Sequence, residues 1–402
     1  MPHQYVIVRH RQVPEPRSTQ DLTVRHRSTP SLPRDELVVD VVKTKAAADA
    51  AALKDKTVKI CAPSLPIKLI VPTARAKAAG GSALRRGSKV AWGVQAVGAD
   101  TSPFDGSGIV VAVLDTGIDR KHEAFKRFKK TELVEKDFTG DGNGDRDGHG
   151  THCAGTIFGG DVGGYRIGIA RGVGKVLIGK VIGSKGGSSA AIASAIQWAI
   201  ENEASVISLS VGIDFPGYQA ELELGGMRRE AATSMALEGY RLTLKVFDAV
   251  AEVVNALAPL HQPCLLVAAA GNENGRDETP PFEIAASPPA VSQGFVSVAA
   301  LGKGTNGLSV AAFSNTGADL SGPGVGIISA ALGGGLVSMD GTSMATPHVA
   351  GVVALWAQKL KAAGQLRPKH YLASVLNSAV TGPLTKGFAP GAVGAGIVRA
   401  PQ

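Results

Sequence analysis

Apolar and polar positions change rhythm along the chain near residue 90. Before it, short apolar runs stand apart: Tyr5-Val6-Ile7-Val8, then Leu37 to Val42, then Ile67 to Val71 after Pro66. Their length and β-branched content predict strands, and the Ala-rich stretch Ala46 to Leu53 predicts a helix. Ala78 to Ser82 and Arg85-Arg86-Gly87 read as a small, polar linker. From Trp92 onward strand-like runs alternate with helical ones: Ile109–Leu114, Val176–Val181, Val206–Leu209, Leu265–Ala268 and Phe295–Ala299. Between the second and third, Ile192, Ile196 and Ile200 recur on one helix face. Alternating strands and helices predict a mostly parallel sheet covered by helices on both faces. The organisation expected is therefore an N-terminal domain over 1–88 and an α/β domain over 89–402.

Composition narrows the class. Apolar residues make up 44% and charged residues 19%, values of an ordinary globular protein. No apolar run is long enough for a membrane span. The start lacks a basic region followed by a long apolar stretch, so no secretory signal is seen and a cytoplasmic site is expected; a trimmed signal would mean secretion. Cys61, Cys153 and Cys264 are odd in number and widely spaced, which indicates neither a disulfide framework nor a zinc site. Residues 1–90 carry 17 Lys and Arg against 7 Asp and Glu, and the remainder 25 against 27, giving +10 and −2 and summing to the net +8. The basic segment lacks interleaved aromatics, so no nucleic-acid partner is expected, and it reads as a basic module docked on a mildly acidic body.

Four motifs carry candidate chemistry. Val110 to Gly117 is a buried strand ending in Asp115 and a turn, the place where α/β sheets collect functional groups. Asp147-Gly148-His149-Gly150-Thr151-His152-Cys153-Ala154-Gly155 surrounds two histidines with small residues. Their three-residue spacing does not match the zinc-protease pattern. Gly341-Thr342-Ser343-Met344-Ala345 puts a serine at a loop-to-helix junction, suited to an N-cap or to a nucleophile whose developing charge meets free amides. Val267-Ala268-Ala269-Ala270-Gly271-Asn272 ends a strand in an amide that closes a turn or faces an oxyanion.

Together these motifs resemble the subtilisin-like serine peptidases, in that family's order of Asp, His and Ser, from about Trp92 to Ala400. Ile207 to Gly212, Phe313-Ser314-Asn315, Gly322-Pro323-Gly324 and Gly394 to Val398 extend the resemblance. It implies an α/β three-layer subtilisin-like fold beside a small basic N-terminal α+β domain. It also implies a serine endopeptidase acting on polypeptides through an acyl-enzyme. Asp115, His149 and Ser343 would be the triad, with Asn272 and the Ser343 amide holding the oxyanion. Ser210, Val211, Gly212 and Ala269, Ala270, Gly271 would flank the specificity pocket, whose small walls suit a large apolar side chain; Glu273 at the rim also admits a basic one. A peptide ligase or macrocyclase on the same scaffold, or a non-catalytic peptide-binding protein, are the alternatives.

No cofactor is required for such chemistry. Structural calcium is common in the family and is possible here, with its ligands not mapped onto this chain. Asp141 to Gly148 fails the EF-hand pattern, with Arg146 at the glycine position and His152 at the glutamate position, and reads as a solvated turn. Residues 1–88 occupy the place of the family's inhibitory propeptide, with a cut expected between about Ala78 and Ala91 and docking aided by opposite charge. The segment 213–263 is longer than in compact members, and Leu244, Phe247, Ala251 and Val254 place a helix in it. Ser287-Pro288 matches a position where the family has a cis bond.

Overall fold

The computed structural model describes residues 4–13, 34–70, 72–77, 89–213 and 215–402. The linker expected over 78–87 lies outside them.

The N-terminal module opens with β1 (Tyr5–Val13) and β2 (Arg34–Val42), followed by α1 (Lys45–Lys54) and β3 (Val58–Pro63). These strands form an antiparallel sheet in the order β2-β1-β3. Val6, Ile7 and Val8 of the central strand are fully buried, while α1 buries only Ala48. Two short strands then leave the module, β4 (Pro66–Leu69) and β5 (Ala74–Lys77).

After α2 (Trp92–Ala96) come the strands of a larger sheet: β6 (Val110–Asp115), β7 (Leu133–Asp137) and, beyond α3 (His149–Phe158), β8 (Lys175–Lys180). Two short strands, β9 (Ile182–Gly183) and β10 (Gly186–Ser188), lead into α4 (Ser189–Glu201). β11 (Val206–Leu209) and β12 (Val211–Gly212) precede α5 (Phe215–Leu224), α6 (Arg229–Leu257) and β13 (Leu265–Ala269). β14 (Phe295–Gly304), β15 (Gly307–Val310), β16 (Leu320–Pro323), β17 (Ile327–Ala330) and β18 (Leu336–Asp340) complete the strands. The chain closes with α7 (Thr342–Ala362), α8 (Pro368–Asn377) and α9 (Pro390–Val393).

The large sheet runs β15-β14-β13-β11-β6-β8-β7, with β16 beside β14. All its pairings are parallel except β14 with β15. Strand alternation sends Val111, Val113, Ile178 and Val267 to an apolar cluster with α3 and α7. Ala112, Leu114, Ile207 and Leu266 face the other way, into a cluster with α4 and α6. This is the three-layer α/β architecture expected. The extra segment is helical, and in α6 Phe247, Ala251 and Val254 are buried as the spacing required.

Two expectations change. β3 and β5 were not anticipated, because neither has a run of apolar residues long enough to stand out. The cis bond falls one residue later than expected, at Pro288-Pro289, while Ser287-Pro288 is trans; Thr279-Pro280 is also cis.

Candidate active site

Asp115 is the last residue of β6, at the carboxyl edge of the sheet, and is 1% exposed. Its Oδ1 accepts the Thr116 amide at 2.7 Å and pairs with His149 Nδ1 at 2.7 Å. His149 opens α3, whose cap Gly148 sits at a φ of 95°, a conformation that favours glycine. The first turn of α3 approaches the loop after Asp115 so closely that a side chain at Gly150 would run into the Gly117 carbonyl. Small residues in both motifs are thus what let the acid and the imidazole meet.

Asp145 ties these two elements together. Its carboxylate accepts the Thr116 hydroxyl at 2.9 Å, the Gly148 amide at 2.9 Å, and the Thr151 amide and hydroxyl at 2.9 and 2.6 Å. These donors hold its carboxyl below the usual range against an opposing effect of burial. Sequence reasoning passed over this residue as part of a turn. The nearby Asp137 and Asp141 also accept such donors, from Thr139 and Gly142 and from Ser184 respectively.

Ser343 is the second residue of α7 and is fully buried. Its hydroxyl donates to the carbonyl of Ile70 at 3.0 Å. Among the described residues His149 Nε2 has no hydrogen-bond partner. Asn272 stands just past β13, and its Oδ1 accepts the amide and the hydroxyl of Thr342, each at 2.8 Å. That anchoring turns the Nδ2 end towards Gly341, 3.0 Å from where a side chain there would begin.

Burial opposes the charge on His149, yet the Asp115 carboxylate prevails and holds the imidazole well above its ordinary value. Burial pushes His152 down to about 3 and His348 down to about 4. Of His149, His152 and His348, only His149 has its proton affinity raised rather than lowered by its surroundings. Cys153 Sγ lies 3.8 Å from His149 Nδ1 and 3.4 Å from the Ser343 carbonyl. Asp115, His149 and Cys153 offer donor atoms within 4.8 Å of one another. Burial raises the thiol's pKa, which disfavours the thiolate that a soft metal ion requires.

The cleft beside these groups is filled by the chain itself. β4 lies antiparallel between β10 and β12, with Ile67 opposite Gly187, Lys68 opposite Gly212 and Leu69 opposite Val211. The Ile70 amide continues the ladder to the Ser210 carbonyl at 3.5 Å. Ile67 and Ile70 are buried, and the Ile70 side chain sits over Gly212. Ser210, Val211 and Gly212 therefore lie alongside β4 and Ile70. Ala269 and Ala270 do not pair with β4; the Ala270 carbonyl accepts the Ser287 amide behind it, and the Gly271 amide donates to Thr342 Oγ1 at 3.2 Å. Glu273 is engaged with Asn315 at 2.7 Å. The opposite wall, Gly186 to Ser188, escaped the sequence reading; its only signal is a short Gly/Ser run before a helix.

The inserted helices α5 and α6 stand beside this region. Phe215 and Tyr240 meet edge to face at 6.1 Å and border a cavity of about 350 Å³ that reaches Ile284 and Ser287.

Comparison with known proteins bears on the family and the fold. The model of the Subtilase family matches residues 106–396. Subtilisin Savinase of Lederbergia lenta is 32% identical over 295 residues, covering 72% of this chain and 92% of that protein. M-protease of Shouchella clausii (strain KSM-K16) is 32% identical over 289 residues, covering 70% of this chain but 63% of its own length. The crystal structure of fervidolysin from Fervidobacterium pennivorans, a keratinolytic enzyme related to subtilisin, superposes with a TM-score of 0.64 at 23% identity. That superposition covers 98% of this chain and 60% of fervidolysin, and it bears on the fold alone. With a family model spanning well over half of its residues, the chain belongs to the subtilase family.

Proposed function

We propose that the protein is a serine endopeptidase in which Ser343 attacks the carbonyl carbon of a peptide held in the cleft. His149 Nε2 takes the hydroxyl proton and passes it to the leaving amine, and Asp115 fixes the tautomer through Nδ1 and stabilises the imidazolium. The Ser343 amide and the Asn272 side chain receive the oxyanion. Water then resolves the acyl-enzyme. The observation that carries this reading is the placement of the Ile70 carbonyl at 3.0 Å from Ser343 Oγ, on a strand paired from both sides as an extended substrate would be.

The N-terminal module acts in this reading as an intramolecular inhibitor, its β4 filling the substrate site. The side chains buried there, Ile67 and Ile70, point to substrates with an apolar residue before the scissile bond and another three residues earlier. Glu273, already bonded to Asn315, does not favour a basic residue in that place.

Mass analysis of a defined peptide tests the activity. Fragments support a peptidase, ligated or cyclic products support an acyl transferase, and an unchanged peptide supports a binding protein. Ser343→Ala should lower turnover by about 10⁶, a magnitude that belongs to subtilisin itself, with the fold unchanged by circular dichroism. Asn272→Ala should lower it by about 10²–10³, again the subtilisin figure.

A further inference from the structure

In its backbone bonding the chain crosses from the N-terminal module to the cleft between two neighbouring residues. The Ser64 amide still bonds back into the module, to the Gln4 carbonyl at 2.9 Å. The Leu65 amide turns to the body and donates to Ser189 Oγ at 3.0 Å, and the Ser189 amide donates to the Leu65 carbonyl at 2.9 Å. This reciprocal pair continues the register of β4 on β10, where Ile67 stands opposite Gly187 and Pro66 opposite Ser188. α4 begins at Ser189, so the Ser189 carbonyl enters the helix and the hydroxyl takes the Leu65 amide in its place. Counted back from Ile70, whose carbonyl meets Ser343, Leu65 is the sixth residue. Leu65 and Ile67 are two residues apart, so both side chains leave the same face of the strand, and both are buried. Leu65 lies over Gly239 of the extra helix α6. A side chain begun at Gly239 would first meet Leu65, with Cδ1 at 2.9 Å and Cδ2 at 3.2 Å. Gly239 does not adopt a positive φ, so its backbone does not require glycine; the missing side chain is what makes room for the leucine.

We infer that α6 and the start of α4 form a subsite for an apolar, leucine-sized side chain on the sixth residue before the scissile bond, with Gly239 as its specificity-determining position. The inference rests on the peptidase reading, in which β4 lies as a substrate does. Backbone pairing holds an extended chain whatever its sequence, so selectivity along a strand comes from the seats its side chains find. A leucine in this seat is removed from water by Gly239 and the helix around it. An alanine leaves the space over Gly239 unfilled, and a charged residue is buried there without a partner. The seat is remote from the reacting carbonyl, so what it contributes is binding, read in kcat/KM. Substrates that reach it are polypeptides extended over six residues before the cut, held at their far end by the Ser189 amide and hydroxyl as Leu65 is.

The test uses the full chain and a pair of internally quenched peptides that differ only in the sixth residue before the cut, leucine or alanine, with the cut located by mass spectrometry. A module closing over the cleft lowers both rates by the same factor, so the ratio of the two kcat/KM values reads the subsite alone. The wild type should favour the leucine peptide by about tenfold. In Gly239→Leu the new side chain occupies the seat, and the ratio should fall to about one; in Gly239→Ala it should lie between. Helices accept leucine and alanine more readily than glycine, so α6 should form in both variants, with circular dichroism as the check. The wild-type ratio decides whether the subsite exists, and Gly239→Ala locates it even if Gly239→Leu folds poorly. A preference of about tenfold that persists unchanged in the variants overturns the assignment to Gly239. A wild type that cleaves both peptides alike refutes the inference and spares the peptidase reading; one that cleaves neither overturns both.

Discussion

In the peptidase body, both faces of the large sheet are covered by helices from the same stretch of chain, α3 and α7 on one side and α4 and α6 on the other. The N-terminal module is built otherwise. Val6, Val8, Leu37 and Ala62 belong to the apolar cluster of α4 and α6, so its sheet completes its packing on the body. Its own helix α1 buries a single alanine. Backbone groups reinforce the seam: the Leu65 amide donates to Ser189 Oγ at 3.0 Å, the Ser189 amide to the Leu65 carbonyl at 2.9 Å, and the Val39 amide to Gln197 Oε1 at 2.8 Å. A region that folds on itself and one that folds on its neighbour should fail differently when perturbed.

The largest difference is expected from Val8→Asp in the Ser343→Ala background. A carboxylate placed in the shared apolar cluster without a partner costs several kcal/mol, about the whole hold of a small module. Limited trypsin digestion should remove residues 4–70 quickly and leave 89–402 resistant. Equal loss of both regions would show that they form one cooperative unit.

A second effect concerns the body's buried histidines. Below their ordinary value of 6.5, the unfolded chain binds protons that His348 refuses until about pH 4 and His152 until about pH 3. Stability of the body should therefore fall as pH drops from 6.5 towards 4. His149 acts in the opposite sense: its folded value is raised, so its contribution is full below 6.5 and is lost as pH rises through the folded value. The melting temperature of Ser343→Ala should peak near pH 6.5. A flat profile from 6.5 down to 4 would contradict the burial of neutral imidazoles.

The smallest effect is expected at the seam's surface. Lys59 and Glu252 form an ion pair at 2.9 Å, with side chains 37% and 64% exposed. Lys59→Ala should weaken docking by no more than about 1 kcal/mol, measured as the inhibition constant of the released module. The opposite net charges of the two regions are expected to add to the apolar packing and strand pairing seen at the seam, and high salt should weaken that share.

This contrast also explains what could be read from sequence. The body's strands were visible as continuous apolar runs because the sheet is buried on both faces, and Asp115, His149 and Ser343 lie where those runs meet Gly-rich turns. Of the two partners of β4, β10 was hidden, since cleft pairing uses backbone groups and favours small residues such as Gly186 and Gly187, which give no periodic signal. Asp145 was hidden for a related reason: its partners are amides and hydroxyls that spacing does not reveal.

The central claim is that Ser343, activated by His149 and Asp115, is the nucleophile. A fluorophosphonate probe forms a stable bond only with a serine activated in this way, and peptide mapping locates the adduct. The account predicts one adduct, on Ser343, in the processed protein, with labelling abolished in His149→Ala and Ser343→Ala. Labelling of another residue, or peptide hydrolysis by a protein whose Ser343 stays unlabelled, would contradict it.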